Sequence, residues 1–111
     1  MELLRRKAKH KIRREFQRFK RKCIYRMTKQ ELWDACEKVH FYCCVQEYFD
    51  LKDQIPAVYL KLVLTEPLFL DFFWRFYLQT EKKRYQTWEE LEVLLDAALL
   101  AWNPARRLIA V

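Results

Sequence analysis

The 111-residue sequence contains no glycine and no serine. Phosphate-binding loops and dinucleotide-binding fingerprints need glycine where the backbone approaches a phosphate, so both are excluded. The absence of serine removes the serine nucleophile, and the absence of glycine removes the tight Asn-Gly hairpin turn. Because several common enzyme classes are excluded in this way, we expect a non-enzymatic protein that needs no cofactor.

The two histidines and four cysteines give little support for a metal or catalytic site. On a helix, Cys36, His40 and Cys44 would share a face, but the outer two would lie about 12 Å apart, too far for one zinc ion. Cys43 adjoins Cys44, and no CxxC pair occurs. A Cys/His nucleophile would also lack a glycine loop to stabilise an oxyanion. We predict no bound metal, and cysteines that serve as small apolar residues.

No secretory leader and no apolar run long enough to cross a bilayer is evident in the sequence. Cys43 and Cys44 could pair only as a strained vicinal bridge, and Cys36 would lie beyond disulfide reach of Cys43 along a helix. Unpaired cysteines are typical of reducing compartments. We therefore expect an intracellular, cytoplasmic protein.

Positive charge is concentrated at the start of the chain. Residues 1–26 contain twelve Lys and Arg against Glu2 and Glu15, a net charge of +10, whereas the remaining residues carry a net −3. A dense cationic block beside a mildly acidic body indicates an anionic partner, most often nucleic acid, then an anionic membrane or an acidic protein surface. Charge alone does not select among the three.

This basic segment has the period of an amphipathic helix. Its apolar residues recur every three or four positions and fall on one face: Leu4, Ala8, Ile12, Phe16, Phe19, Cys23 and Met27. Our leading hypothesis is that the helix binds nucleic acid through phosphates, with little base readout because Gln17 is its one amide side chain. The candidate binding residues are Arg5, Arg6, Lys9, Arg13, Arg14, Phe16, Arg18, Phe19, Lys20, Arg21 and Lys22.

Other roles remain open for the same helix. As a protein-interaction module or inhibitor, of the kind that mobile elements encode, it would lay Ile12, Phe16 and Phe19 in an acidic or nucleic-acid-binding groove of a larger protein. It would otherwise be an ordinary amphipathic helix, packed on its own body with solvated charges. Membrane attachment is the weakest option because the apolar stripe is thin and lacks Trp. No small-molecule substrate is expected.

Two capping boxes mark helix starts further along the chain. Thr28 and Glu31 have the spacing in which the Thr hydroxyl accepts from the Glu backbone N–H while the Glu carboxylate accepts from the Thr N–H. Thr87 and Glu90 repeat this spacing. We expect a helix after each box, over residues 28–49 and 88–102.

The stretch Glu66–Gln79 is the most aromatic part of the chain. Six of the nine residues from 69 to 77 are Phe, Trp or Tyr, and a soluble chain hides so much ring surface only by packing other elements around it. Thr65 and Pro67 predict the cap and first turn of this helix. The preceding Ile55–Leu64 would suit a buried helix or strand, and we expect a helix because no partner strand is evident.

Together these signals predict an all-α protein, a small bundle of about four helices preceded by a basic amphipathic helix. Residues 1–27 are expected to form a basic arm that reaches away from the body, and residues 28–103 the helical core. Asn103 and Pro104 are expected to end the last helix, which leaves residues 104–111 as a short tail.

Overall fold

The computed structural model describes residues 2–81 and 83–110, the last eight by their backbone alone. This part of the chain forms helices and turns without a β-strand, which confirms the predicted all-α class. The helices are α1 (Glu2–Lys22), α2 (Lys29–Asp34), α3 (Cys36–Leu51), α4 (Ala57–Thr65), α5 (Phe69–Leu78) and α6 (Trp88–Ala110), with a 3₁₀ turn at Ile24–Arg26. None of the described helices has both the length and the apolar composition needed to cross a bilayer.

The N-terminal helix α1 packs against the body. Ala8 and Ile12 are fully buried and Phe16 is 3% exposed, and the helix contacts α3, α4 and α5. The predicted apolar face is therefore buried in its middle, whereas Leu4 and Phe19 are only partly buried. Cys23, expected on the same face, lies beyond the end of α1 and is exposed. The arrangement is the one left open above, an amphipathic helix packed on its own chain, and not the expected arm that reaches outward.

A charged pair on α1 joins the end of α4 to the start of α5. Lys11 Nζ donates to the backbone carbonyl of Glu66 at 2.6 Å, and Glu15 Oε1 accepts from the backbone N–H of Leu70 at 2.8 Å. Lys11 and Glu15 also form a 2.6 Å ion pair with each other. A cation thus lies at the negative end of α4 and a carboxylate at the positive end of α5, as the helix dipoles favour.

This contact replaces the cap expected at Thr65 and Pro67. Thr65 is the last residue of α4, and α5 begins at Phe69 after Leu68, which makes no side-chain capping hydrogen bond. The expected start was wrong because Glu15, far away in the sequence, satisfies the first turn of α5. No local pattern reveals such a contact.

Both capping boxes are confirmed. At the first box the Glu31 backbone N–H donates to Thr28 Oγ1 and the Thr28 N–H donates to Glu31 Oε1, each at 3.2 Å. At the second, the corresponding distances between Glu90 and Thr87 are 3.1 and 3.0 Å. The helices that follow are α2 and α6.

The helix expected over residues 28–49 is interrupted at Ala35. This residue has φ −89° and ψ 0°, and its N–H lies 3.0 Å from the carbonyl of Glu31 and 3.1 Å from that of Leu32. As a result α2 does not continue the face of α3 and buries none of its residues. Leu32 and Trp33 of α2 are 41% and 75% exposed. The residues that α3 buries are Phe41, Tyr42, Val45, Tyr48 and Phe49.

Aromatic rings from three parts of the chain form the centre of the core. The Phe41 ring lies 5.2 Å from Phe73, 4.9 Å from Tyr77 and 5.1 Å from Tyr85, measured between centroids. Phe69 stacks on Phe73 at 5.5 Å. The aromatic helix α5 therefore buries Phe69, Phe73 and Tyr77, while its other three rings are partly buried. The ambiguous segment before it is the helix α4.

The last helix continues beyond its expected end. α6 passes through Asn103 and Pro104 to Ala110, although a proline inside a helix costs about 3 kcal/mol. No described residue has the positive φ that a left-handed helix cap requires, and the following Ala, Arg and Leu residues favour helix. How the tail expected at residues 104–111 packs lies outside the described side chains.

Candidate nucleic-acid interface

The outer side of α1 presents a row of exposed cations. Arg14, Arg18 and Lys22 are spaced one turn apart and are exposed, as are Arg6 and Arg21. The four ion pairs of the described residues leave all five without a carboxylate within 4 Å. We call Arg14, Arg18 and Lys22 the basic row.

Two other candidate residues on α1 are engaged with the end of α3. Arg5 donates to the backbone carbonyls of Lys52 and Asp53, the latter at 2.7 Å, where the α3 dipole is negative. Arg13 Nη2 donates to Asp50 Oδ2 at 3.3 Å. Both guanidinium groups thus hold α1 on the body, and they are less free to bind a partner than the basic row.

The aromatic candidates lie on the inner side of α1. Phe16 is buried with its ring edge-on to Tyr42 at 5.7 Å, so it is not accessible to a partner. Phe19 is only partly buried, 5.1 Å from the same Tyr42 ring. Lys20 places its ammonium 4.2 Å from the Phe16 ring centroid, and Lys9 is partly buried. Of these four candidates, Phe19 is the ring that a ligand would reach.

Burial also determines the protonation state of Tyr42, which lies beneath α1. Loss of solvent raises the pKa of the Tyr42 phenol well above its ordinary value, and the carboxylates of Asp71 and Glu15 raise the pKa further. Tyr42 is therefore a neutral packing residue at physiological pH.

A groove runs between α1 and the start of α5, with α3 at its base. Its volume is about 1020 Å³, the upper end of the roughly 300–1,000 Å³ typical of small-molecule sites. The basic row lines one wall, and Pro67 and Leu68 lie on the other. Phe19 also lines it, with the ammonium of Lys38 4.8 Å from its ring centroid. We call this cavity the basic groove.

The basic groove carries a large excess of positive charge. Seven Lys and Arg residues line it, together with the two carboxylates of Glu15 and Asp71. Both carboxylates already hold cations, Glu15 with Lys11 at 2.6 Å and Asp71 with Arg75 at 2.7 Å. The groove therefore offers a strongly cationic environment to a ligand.

Sequence reasoning found the basic row but missed the other wall of the groove. Lys38 lies in a segment of mixed charge, and Leu68 follows a proline in an apolar run, so neither carries a local signal of binding. They line the groove because α1 packs across α3 and α5. A correct prediction of that packing would have been needed to find them.

The side chains considered as metal ligands have other contacts. His40 Nδ1 lies 2.9 Å from Tyr85 Oη, and its Nε2 lies 3.7 Å from Cys44 Sγ. No three His, Cys, Asp or Glu side chains within residues 2–81 and 83–102 are placed to share an ion. Burial raises the pKa of the Cys43 and Cys44 thiols, which disfavours the reactive thiolate.

No family model matches this sequence, and comparison with curated proteins and with solved structures likewise found no significant similarity.

Proposed function

We propose that this protein is a non-enzymatic nucleic-acid-binding protein whose α1 cations contact phosphates. The observation that carries the proposal is the basic row, Arg14, Arg18 and Lys22, exposed on a well-packed helix without a carboxylate partner among the described residues. The rest of the chain is rich in acids that could neutralise these cations. Concentrating like charges on one helix is unfavourable for folding, so a role in binding an anion explains them better than solubility does.

The spacing of the row suits a phosphate backbone. Residues four apart on a helix are separated by about 6 Å along its axis, so the row presents cations at regular intervals over about 12 Å. Lys and Arg contact phosphates whatever the base sequence. We therefore expect binding with weak sequence preference and a steep dependence on salt, since each phosphate contact releases counterions.

The alternative role, in which α1 lays its apolar residues in a groove of a larger protein, is less well supported. It requires Ile12 and Phe16, both buried in the core, to leave their packing. Re-exposing each would cost roughly 1.5–3 kcal/mol. The burial thus favours binding through the charged side of α1 over binding through its apolar stripe.

The test is a comparison of two triple variants with the same net charge. Arg14→Gln, Arg18→Gln and Lys22→Gln together remove the basic row, while Lys29→Gln, Lys61→Gln and Arg84→Gln remove three exposed cations outside α1. Affinity for a fluorescein-labelled 20-nucleotide DNA is measured by anisotropy from 50 to 200 mM salt. We expect the first triple to lower affinity more than tenfold and to flatten the log–log salt slope by about 2.

The control triple is expected to retain most of the affinity and the slope. Equal losses in both triples would show that total charge, and not α1, governs binding. Absence of binding by the wild-type protein at 50 mM salt would refute the proposed function.

A further inference from the structure

The basic groove contains apolar side chains that phosphate binding alone does not require. We call Phe19, Pro67 and Leu68 its apolar patch. Phe19 on the α1 side of this patch is partly buried, and Leu68 on the facing wall is 52% exposed. Pro67 beside it is also exposed. A surface that only neutralised phosphates would gain nothing from these side chains, because phosphates bind to charged and hydrogen-bonding groups.

The cations near this apolar patch come from two helices. The basic row lies along α1, while Lys38 comes from α3 and places its ammonium 4.8 Å from the Phe19 ring centroid. A ligand lying in the groove would therefore meet positive charge along the α1 wall and at the α3 base, and apolar side chains on the facing wall. A polynucleotide strand with unpaired bases has the matching arrangement, since flat base faces alternate with phosphates along its length.

We propose that the basic groove binds single-stranded nucleic acid, with bases against Phe19 and Leu68 and phosphates on the basic row and Lys38. This inference rests on the proposed function and adds the class of nucleic acid. In a duplex the base faces are stacked inside. A duplex would therefore contact the cations but leave the apolar patch uncovered. The geometry hence predicts a preference for single strands, which the row of cations alone would not give.

A matched pair of variants separates the groove from the general charge of the protein. Leu68 and Val58 are both 52% exposed and both lie at the start of a helix, α5 and α4 respectively. Leu68→Asp and Val58→Asp each add one carboxylate where a helix N-terminus tolerates it, but only Leu68 lines the groove. Leu68→Asn is the neutral companion, which removes the apolar contact without adding charge.

Affinities are measured for a fluorescein-labelled 12-nucleotide single strand and for the 12-base-pair duplex of the same sequence, at 100 mM salt. We expect wild type to bind the single strand about tenfold more tightly than the duplex, in line with one or two stacked bases. Leu68→Asp should weaken single-strand binding at least tenfold and Leu68→Asn about threefold, whereas Val58→Asp should have little effect. Circular dichroism verifies that each variant is folded.

The outcomes of this experiment separate the single-strand inference from the proposed function, phosphate binding by α1. Equal or tighter binding of the duplex, or equal effects of Leu68→Asp and Val58→Asp, would overturn the single-strand groove while leaving phosphate binding by α1 intact. No binding of either oligonucleotide, with a polyglutamate peptide bound instead, would overturn both and assign the groove to an acidic protein segment.

Discussion

The inner and outer sides of α1 differ in both burial and charge. The inner side buries Ala8, Ile12 and Phe16 in the core, while the outer side exposes Arg14, Arg18 and Lys22. The free energies of these two sides explain why burial of the inner side determines the position of the helix. Each like-charge pair one turn apart costs about 0.2–0.5 kcal/mol, whereas each large buried side chain contributes roughly 1.5–3 kcal/mol. A high density of positive charge is therefore compatible with a docked helix.

The largest expected effect comes from truncating the inner side. Ile12→Ala should lower the free energy of unfolding by about 2–5 kcal/mol, because it opens a cavity in a fully buried site. Arg14→Ala, two residues away on the outer side, should change it by less than about 0.5 kcal/mol. Urea unfolding of both variants measures the difference. Similar losses of unfolding free energy in Ile12→Ala and Arg14→Ala would mean that the inner and outer sides of α1 do not differ in burial in solution.

The next largest loss of stability is expected from removing Glu15, which lies between the inner and outer sides of α1. Glu15→Ala removes the acceptor for the Leu70 N–H and the ion pair with Lys11, and we expect a loss of about 1.5–3 kcal/mol. Glu47→Ala, in the middle of α3 and exposed, is the matched control and should be nearly neutral. If chemical denaturation shows the two to be equal, α1 does not cap α5.

Alkaline pH should weaken the packing of Tyr42 beneath α1. Burial raises the pKa of Tyr42, which packs under Phe16 and Phe19, so the native state holds this proton at pH values where the unfolded chain has lost it. The stabilisation is fully present below about pH 10, the ordinary tyrosine value, and falls as pH rises further. Tyr42→Phe should reduce the loss of unfolding free energy above pH 10.

Tyr25→Phe provides the control for that experiment, since Tyr25 is 74% exposed. It should leave the alkaline dependence unchanged when thermal unfolding is followed from pH 8 to 11. An equal response of the two variants would show that the region around Tyr42 is hydrated.

Features encoded within one turn of helix were readily predicted from the sequence. The capping boxes at Thr28 and Thr87 depend on side chains three residues apart, and both occur in the structure. The buried face of α1 follows from the period of its apolar residues. In each case the contact partners are close in the sequence, so the pattern contains the needed information.

Features that depend on distant contacts were not predicted. The start of α5 is set by Glu15 of α1, and the interruption at Ala35 separates two segments that were expected to form one helix. Lys38 lies in α3 and Leu68 immediately before α5, and the sequence gives no reason to place either beside α1. The composition of α1 indicated an anionic partner, but only the tertiary packing defines a groove in which one would lie.

The most direct test of the two-sided helix measures stability and binding on the same triple variant. Arg14→Gln, Arg18→Gln and Lys22→Gln remove two like-charge pairs spaced four residues apart and no hydrogen bond or ion pair with the described part of the chain. The free energy of unfolding should therefore stay constant or rise by about 0.4–1 kcal/mol. Affinity for the 20-nucleotide DNA should fall more than tenfold in the same preparation. A loss of stability above about 1 kcal/mol, or undiminished affinity, would contradict the assignment of these cations to a partner.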